Sequence, residues 1–548
     1  MAHALAGKPV QEQDIIDVQT IVDAYFDNVP DMTNPTQLVS FGTSGHRGTS
    51  VDGTFTDLHV AAITQAICDG RKQFGATGPI FVGQDTHALS QPALVTVLEV
   101  LAGNGVTAMV DCDMAFVPTP SVSRAIIRYN EEHDDKADGI IITPSHNPPD
   151  NGGIKYNTII GGPADTVVTK WIEMRANEYL TAYCESEDFK RISIDNIKPT
   201  AQVPYDYKGL YVEELGDVIN MEAIKAAGPK VLVDTLGGSG ASYWNAIKER
   251  YGLDLTIIHD DYDPTFSFMT YDHDGKVRMD CSSTYVMASV INRIGDFDLA
   301  VGNDPDYDRY GIVVSSGLIS ANTFLTLAAR YLFTTRGWKN KGVGKTVVCT
   351  TMIDKWAADA EIPVFEVPVG FKYFSQLLFD GAIGIGGEES AGASFLKKDG
   401  TVWTTDKDGM IMALLSMEIM AVMGKSALKM ADESLEEFGN PSFGRIDAPC
   451  KKEQKQILKQ MSAELITATT VDGDPITNIR TTSLYNDMPI DGVRVETDKG
   501  WFVARPSGTE DLYKIYGESY KGDLGLVALL TAGEEIVNAA LNGTIETE

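Results

Sequence analysis

Short apolar runs alternate with helical patterns over most of the chain. "PIFVGQD" predicts a buried strand, and "SQPALVTVLEVLAGNG" after it a helix with Ser90 at its N-cap and Gly103 near its end. "VTAMVD", "GIIITP", "KVLVDT", "LTIIHD", "LAVGND", "TVVCTT" and "AIGIGG" repeat the theme. Continuous apolar strands between helices predict mixed, mainly parallel sheets covered on both faces, an α/β class. The last stretch differs. "GVRVETDKGWFVARPS" is two alternating runs around Asp498-Lys499-Gly500, a hairpin pattern, and "YKIYGES" supplies a third strand. With the apolar-faced helix "LVALLTAGEEIVNAAL" this predicts a C-terminal α+β domain with an antiparallel sheet.

A chain of 548 residues exceeds a single core, so about three or four domains are expected. Polar stretches containing Pro and Gly place boundaries near 203, 320 and 441, giving 1–203, 204–320, 321–441 and 442–548. The composition, 43% hydrophobic and 22% charged, is that of an ordinary globular protein. The formal charge of −32 repels phosphate backbones, so nucleic acid and anionic membrane are not expected partners; a homodimer stays open. Any local site for an anion has to work against that field, which makes such a site more telling. Six cysteines lie far apart with no CxxC pair, which fits reduced thiols. "MAHALAGKPVQEQD" carries no long apolar region and no stretch approaches about 18 apolar residues, so the expectation is a cytoplasmic protein.

Strand ends in α/β sheets are where ligands bind, and four of them carry candidate chemistry. Ser145 follows "GIIIT", with His146 next to it and Lys155 beyond Gly152-Gly153, which read as a turn. A loop serine bonded to its own backbone accounts for the Ser-His pair equally well. In "GNDPDYDRYG", Asp304, Asp306 and Asp308 alternate, so an extended segment would put three carboxylates on one face. They would repel unless a cation sat between them, and oxygen-only donors suit Mg²⁺ or Ca²⁺; a solvated acidic turn is the alternative. An EF-hand is excluded, because Arg309 stands at the sixth position and Ser315 at the twelfth. In "ARPSGTEDLYK", Arg505, Ser507, Gly508 and Thr509 could cradle a phosphate, or could be a strand and a plain turn. In "GIGGEESAG", Glu388 and Ser390 suit vicinal sugar hydroxyls, although a helix N-terminus explains them as well. "GVGKT" is no Walker A loop, since the first glycine would fall at Lys339. "LGGSGA" lacks the last glycine of a nucleophile elbow and the spacing of a dinucleotide fingerprint, and reads as a tight strand-to-helix turn.

"FGTSGHRG", "TPSHNPPDNGGIKYN", "DPDYDR", "VPVGFK", "GGEESAG" and "RPSGTED" follow one another in this order. With them the chain resembles the α-D-phosphohexomutase superfamily, in its bacterial phosphoglucomutase branch, from about residue 40 to 520. The resemblance implies four domains around a central cleft, three related α/β domains and a C-terminal domain that grips phosphate. It implies interconversion of glucose 1-phosphate and glucose 6-phosphate through glucose 1,6-bisphosphate, with Ser145 as the phosphoserine. Asp304, Asp306 and Asp308 would hold Mg²⁺ with the phosphate of Ser145 completing its shell. Glu388 and Ser390 would contact sugar hydroxyls, and Arg505, Ser507, Gly508 and Thr509 would clamp the non-reacting phosphate. Arg47, His146, Lys155, Arg309, Gly370 and Lys372 match positions that line the cleft, with Lys155 the candidate for proton transfer. The mannose-tolerant branch has a histidine shortly after the sugar-binding serine, where this chain has Ala391 and Gly392. Phosphomannomutase or another phosphohexomutase activity stays an alternative, as do a metal-dependent phosphosugar phosphatase and a phosphosugar-binding protein without turnover.

Overall fold

A computed structural model describes residues 2–42, 45–184, 189–506 and 512–545. The chain forms two compact units. One comprises Met1–Ser320, Phe374–Gly381 and Ser390–Leu428; the other comprises Ala321–Tyr373, Ala382–Glu389 and Lys429–Glu548.

The first unit begins with a six-stranded mixed sheet. Its strands are β1 (His46–Thr49), β2 (Ile80–Gln84), β3 (Ala108–Asp111), β4 (Asp138–Ile142), β5 (Asn151–Asn157) and β6 (Gln202–Tyr205), in the order β1-β5-β4-β2-β3-β6. The stretch β4-β2-β3-β6 is parallel, while β5 and β1 return antiparallel. The apolar runs at β2 and β4 serve two cores because side chains alternate across a strand. Ile80, Val82, Ile140 and Ile142 join one core with helices Asp57–Gly70 and Ser90–Gly103, while Phe81 and Ile141 join another with helix Thr119–Glu132. Ser90 is the first residue of its helix rather than its cap, and its hydroxyl turns back to Asp85.

A second mixed sheet repeats the plan with β7 (Val231–Asp234), β8 (Leu255–Ile258), β9 (Leu299–Gly302), β10 (Gly311–Val314) and β11 (Gly317–Leu318), ordered β11-β10-β9-β7-β8. The amino-terminal segment straps across this layer. The Gly7 and Val10 N–H groups donate to the Tyr271 and Met269 carbonyls, at 2.8 and 3.0 Å, and Leu5 and Val10 pack into the same core as Tyr271 and Met279. The Tyr271 hydroxyl accepts from the Gln11 N–H and donates to Asp14. Helix Val18–Asp27 then returns the chain to the first sheet, where Tyr25 meets Thr96.

In the second unit, β12 (Gly342–Thr346) lies parallel between β13 (Val364–Val367) and β14 (Ile383–Gly387). The strand here is therefore "GVGKT", not "TVVCTT". Val347 and Val348 lie past its end and fill a core with Ile490, Trp501 and Val503. Strand β15 (Ala393–Phe395) and the buried helix Gly409–Met423 belong to the first unit, where the helix packs against β9, β10 and β15. The C-terminal sheet is antiparallel throughout: β16 (Ser442–Pro449), β17 (Thr470–Val471), β18 (Asp474–Thr482), β19 (Pro489–Thr497), β20 (Gly500–Pro506) and β21 (Leu512–Ser519), ordered β16-β21-β20-β19-β18-β17. Helix Gly522–Ile545 covers it. Contrary to the sequence reading, Gly522–Asn542 is long and apolar enough to cross a membrane by length and composition. Leu526, Leu529, Leu530, Val537 and Leu541 are nevertheless buried in the core of this sheet, while Leu524 and Val527 are exposed.

Candidate active site

The loop after β4 turns sharply at Ser145, which is 1% exposed and has φ of 59°, the left-handed region. Its hydroxyl receives a hydrogen bond from Arg47 Nη2 and donates to Asp306 Oδ2, both at 3.2 Å. Arg47 lies on β1 and Lys155 on β5, two neighbouring strands whose register, Arg47 opposite Gly153, brings both side chains to the serine. Gly152 and Gly153 are strand residues of β5, not a turn. A Cβ on Gly152 would strike the Phe55 ring and one on Gly153 the Thr143 carbonyl, so these glycines serve close packing under the serine loop.

Asp304, Asp306 and Asp308 follow β9 in an irregular turn, with Tyr307 at φ 62°. They are not on an extended strand, yet their carboxylates converge: one oxygen from each lies within 4.8 Å of the others. All three are buried. Lys155 Nζ donates to Asp306 at 2.6 Å and Asp308 at 3.2 Å, and Lys407 Nζ lies 2.9 Å from Asp308. Thr119 Oγ1 donates to Asp306 at 2.9 Å, and the Arg309 backbone N–H donates to Asp304 at 2.9 Å. Burial pushes the Asp304 carboxyl well above the usual carboxylate range, and the charges of Asp308 and Asp306 push the same way. Burial works against Asp308 too, but Lys407, Lys155 and Arg309 outweigh it and hold that group well below the range.

Whether the three carboxylates fit a cation can be judged from their unused oxygens. Asp304 Oδ2, Asp306 Oδ1 and Asp308 Oδ1 are buried without a hydrogen-bond partner among the described residues. An unsatisfied buried acceptor costs about 1–3 kcal/mol, so three in one cluster are expensive unless a ligand meets them. An all-oxygen donor set of this kind fits a hard divalent cation.

Two further groups of the first unit lie beside the aspartates. Arg309 Nη1 donates to Asp280 at 3.3 Å, and His146 Nε2 lies 3.9 Å from the same carboxylate. Burial, with Arg309 and Arg47 close by, lowers the His146 pKa well below its ordinary value, so this ring is neutral. Ser390 adjoins the same loop: Ala391 O accepts from the Tyr310 N–H, and Gly392 bridges to Arg309. In the second unit, Glu388 is buried just past β14, Gly370 has φ of 132°, and Lys372 begins helix Lys372–Phe379. Arg505, on β20, donates from Nε to the Ile490 carbonyl at 2.8 Å. Ser507, Gly508 and Thr509 lie outside the described residues. The sequence reading missed Lys407, Asp280 and Thr119. The charged run "TTDKDG" directly before a helix apolar except for Ser416 and Glu418 was the one available signal for Lys407.

Family models of the phosphoglucomutase/phosphomannomutase α/β/α domains I, II and III match residues 38–182, 210–317 and 320–438, and the model of the C-terminal domain matches 447–524. A phosphoglucomutase of Komagataeibacter xylinus is 47% identical over 539 residues, covering 97% of each chain. Phosphoglucomutase 1 of Saccharomyces cerevisiae is 26% identical over 88% of each. The open form of the phosphoglucomutase parafusin from Paramecium superposes with a TM-score of 0.72 at 20% identity, covering 94% of this chain and 96% of that one. A phosphoglucomutase/phosphomannomutase family protein of Burkholderia thailandensis gives 0.69 at 21%, covering 92% and 98%. The fold and the sequence thus define an intramolecular phosphotransferase of the phosphohexomutase class. The chain belongs to the phosphoglucomutase/phosphomannomutase family.

Proposed function

We propose that this enzyme interconverts glucose 1-phosphate and glucose 6-phosphate through phospho-Ser145 and glucose 1,6-bisphosphate, in the cytoplasm. The observation that carries the reading is the Ser145 hydroxyl, buried and strained between Arg47 and Asp306. The 47%-identical relative, a phosphoglucomutase, supports the choice of glucose. In the first half-reaction the P–Oγ bond of phospho-Ser145 breaks as a P–O6 bond to glucose 1-phosphate forms. The proton of O6 ends on Ser145 Oγ: the Lys155 ammonium, which shares the acceptor Asp306 with that hydroxyl, gives a proton to Oγ and takes the proton of O6 in exchange. The bisphosphate then turns end for end and returns its 1-phosphoryl group to Ser145 by the reverse bond changes.

Arg47, Lys155 and Arg309 compensate charge on the transferring oxygens, where preorganised donors act most strongly. Asp304, Asp306 and Asp308 would hold Mg²⁺, which when bound adds Lewis-acid compensation on the phosphoryl group. Glu388 and Ser390 take the sugar hydroxyls, with Gly370, Lys372 and His146 beside the ligand. Arg505, Ser507, Gly508 and Thr509 take the phosphate that does not react. The four-domain division at 203, 320 and 441 is part of the same reading.

The test runs glucose 1-phosphate conversion with Mg²⁺ and a trace of glucose 1,6-bisphosphate, wild type beside Ser145→Ala, with free phosphate measured in both. Isomerisation without phosphate release, lost on the order of 10⁴–10⁶-fold in the variant, is expected. Release of phosphate by the wild type would instead make it a phosphosugar phosphatase. Turnover of mannose phosphates at a rate equal to glucose would overturn the glucose preference.

A further inference from the structure

Beneath the serine loop lies a buried polar network anchored on Asp85, just past the end of β2. Asp85 is fully buried and accepts four hydrogen bonds: from the His87 backbone N–H at 3.0 Å, His87 Nδ1 at 2.8 Å, Ser90 Oγ at 2.5 Å and Thr143 Oγ1 at 2.6 Å. A hydroxyl has one proton to donate. Thr143 gives its proton to Asp85, which leaves its lone pairs to receive the Ser145 N–H at 2.8 Å. On the other side of the loop, His87 Nε2 lies 3.0 Å from the Asn147 carbonyl. Burial would depress the His87 imidazole, but Asp85 overcomes it and raises its pKa, so the ring can donate from both nitrogens. The ring is also packed against Phe266, 5.1 Å between centroids.

One carboxylate therefore clasps the loop at two points, the Ser145 N–H through Thr143 Oγ1 and the Asn147 carbonyl through His87. What it holds is costly, because a non-glycine residue in the left-handed region is strained. Released, Ser145 would relax toward ordinary φ and carry its hydroxyl away from Arg47 and Asp306. We propose that Asp85, Thr143 and His87 are positioning residues for phosphoryl transfer, which fix Ser145 in its strained conformation without touching substrate. The proposal rests on Ser145 as the phosphoacceptor.

Thr143→Val keeps the shape of the side chain and removes both of its hydrogen bonds; Thr143→Ser keeps them. Phosphorylation of Ser145 by glucose 1,6-bisphosphate would be followed in a single turnover, beside KM for glucose 1-phosphate and the melting midpoint. Thr143→Val is expected to slow transfer about 10–100-fold, the scale of an ångström-sized misplacement, with KM within about twofold. Thr143→Ser should restore the rate. Should the valine variant fold poorly, His87→Gln is expected to slow transfer by about tenfold at unchanged KM. A wild-type transfer rate in whichever variant folds would overturn the clasp. Ser145→Ala separates the two readings: if it still turns over, the phosphoacceptor assignment falls, whereas its silence beside a fully active Thr143→Val condemns the clasp alone.

Discussion

Each unit buries a cluster of carboxylates and cations, and the two clusters treat their oxygens in opposite ways. In the second unit, Glu366 receives Arg480 Nη1 and Nη2 at 2.5 and 2.9 Å, and Glu496 receives Arg494 Nε at 2.6 Å, Arg480 Nη2 at 3.2 Å and Asn478 Nδ2 at 2.9 Å. Arg494 also donates to the Val347 carbonyl and lies 4.1 Å from the Trp501 ring. Burial opposes ionisation of Glu366, yet Arg480 and its neighbours push that carboxyl down to about 2. In the first unit, three aspartates each keep a buried oxygen with no hydrogen bond among the described residues, and Asp304 is pushed up rather than down. Buried charge is thus no mark of function by itself. Several incomplete buried charges meeting at one place point to a ligand, because a finished ion network has nothing further to bind, whereas an unfinished one is stabilised by whatever completes it.

The contrast is broken most directly at Asp306. Asp306→Asn is expected to lower turnover about 10²–10³-fold, the scale of losing one preorganised electrostatic contact. Its melting midpoint without divalent ions should change little, because relief of crowding among the three charges offsets the lost pairing with Lys155. Calorimetric titration should show Mg²⁺ binding to wild type and not to the variant. Full Mg²⁺ affinity in Asp306→Asn would mean that the aspartates are as finished as the second cluster. Glu366→Gln is the complementary change, expected to cost about 3 kcal/mol in urea unfolding, as breaking a buried ion pair does, with turnover unaffected.

The sign with pH follows from the same carboxyl. Its folded pKa of about 2 lies below the ordinary 4.5, so its stabilisation is complete above pH 4.5 and is lost as pH falls toward 2. Urea midpoints of wild type and Glu366→Gln should therefore converge between pH 4.5 and 3; a constant gap would assign the loss to packing. The smallest effect is expected at Lys170, 62% exposed and 2.7 Å from Glu173. Lys170→Gln should change stability by less than about 0.5 kcal/mol, and a larger loss would show that pairing matters here even without burial.

The parts legible in the sequence were those that local pattern encodes. Continuous apolar runs marked β2, β4, β7 and β9, and three alternating aspartates marked a carboxylate cluster although they sit on a turn. What escaped depended on distant partners. Lys407 reaches Asp308 from about a hundred residues away, and nothing near either residue announces the meeting. The strand at β12 was displaced by one apolar run because Val347 and Val348 look like strand interior until Ile490 and Trp501 are known to cover them. Gly152 and Gly153 were read as a turn because a glycine pair signals one locally. Their actual reason, the approach of Phe55 and the serine loop, is tertiary.

The amino-terminal strap has a consequence for the order in which the molecule is made. Gln11 is joined to a tyrosine hydroxyl 260 positions later in the chain. At about 5–20 residues per second, a ribosome needs roughly 13–52 s to reach that tyrosine. Through this interval the first sheet can form its cores, while Leu5 and Val10 wait without their partners. That segment therefore settles only after the residues of the second sheet's core have been made.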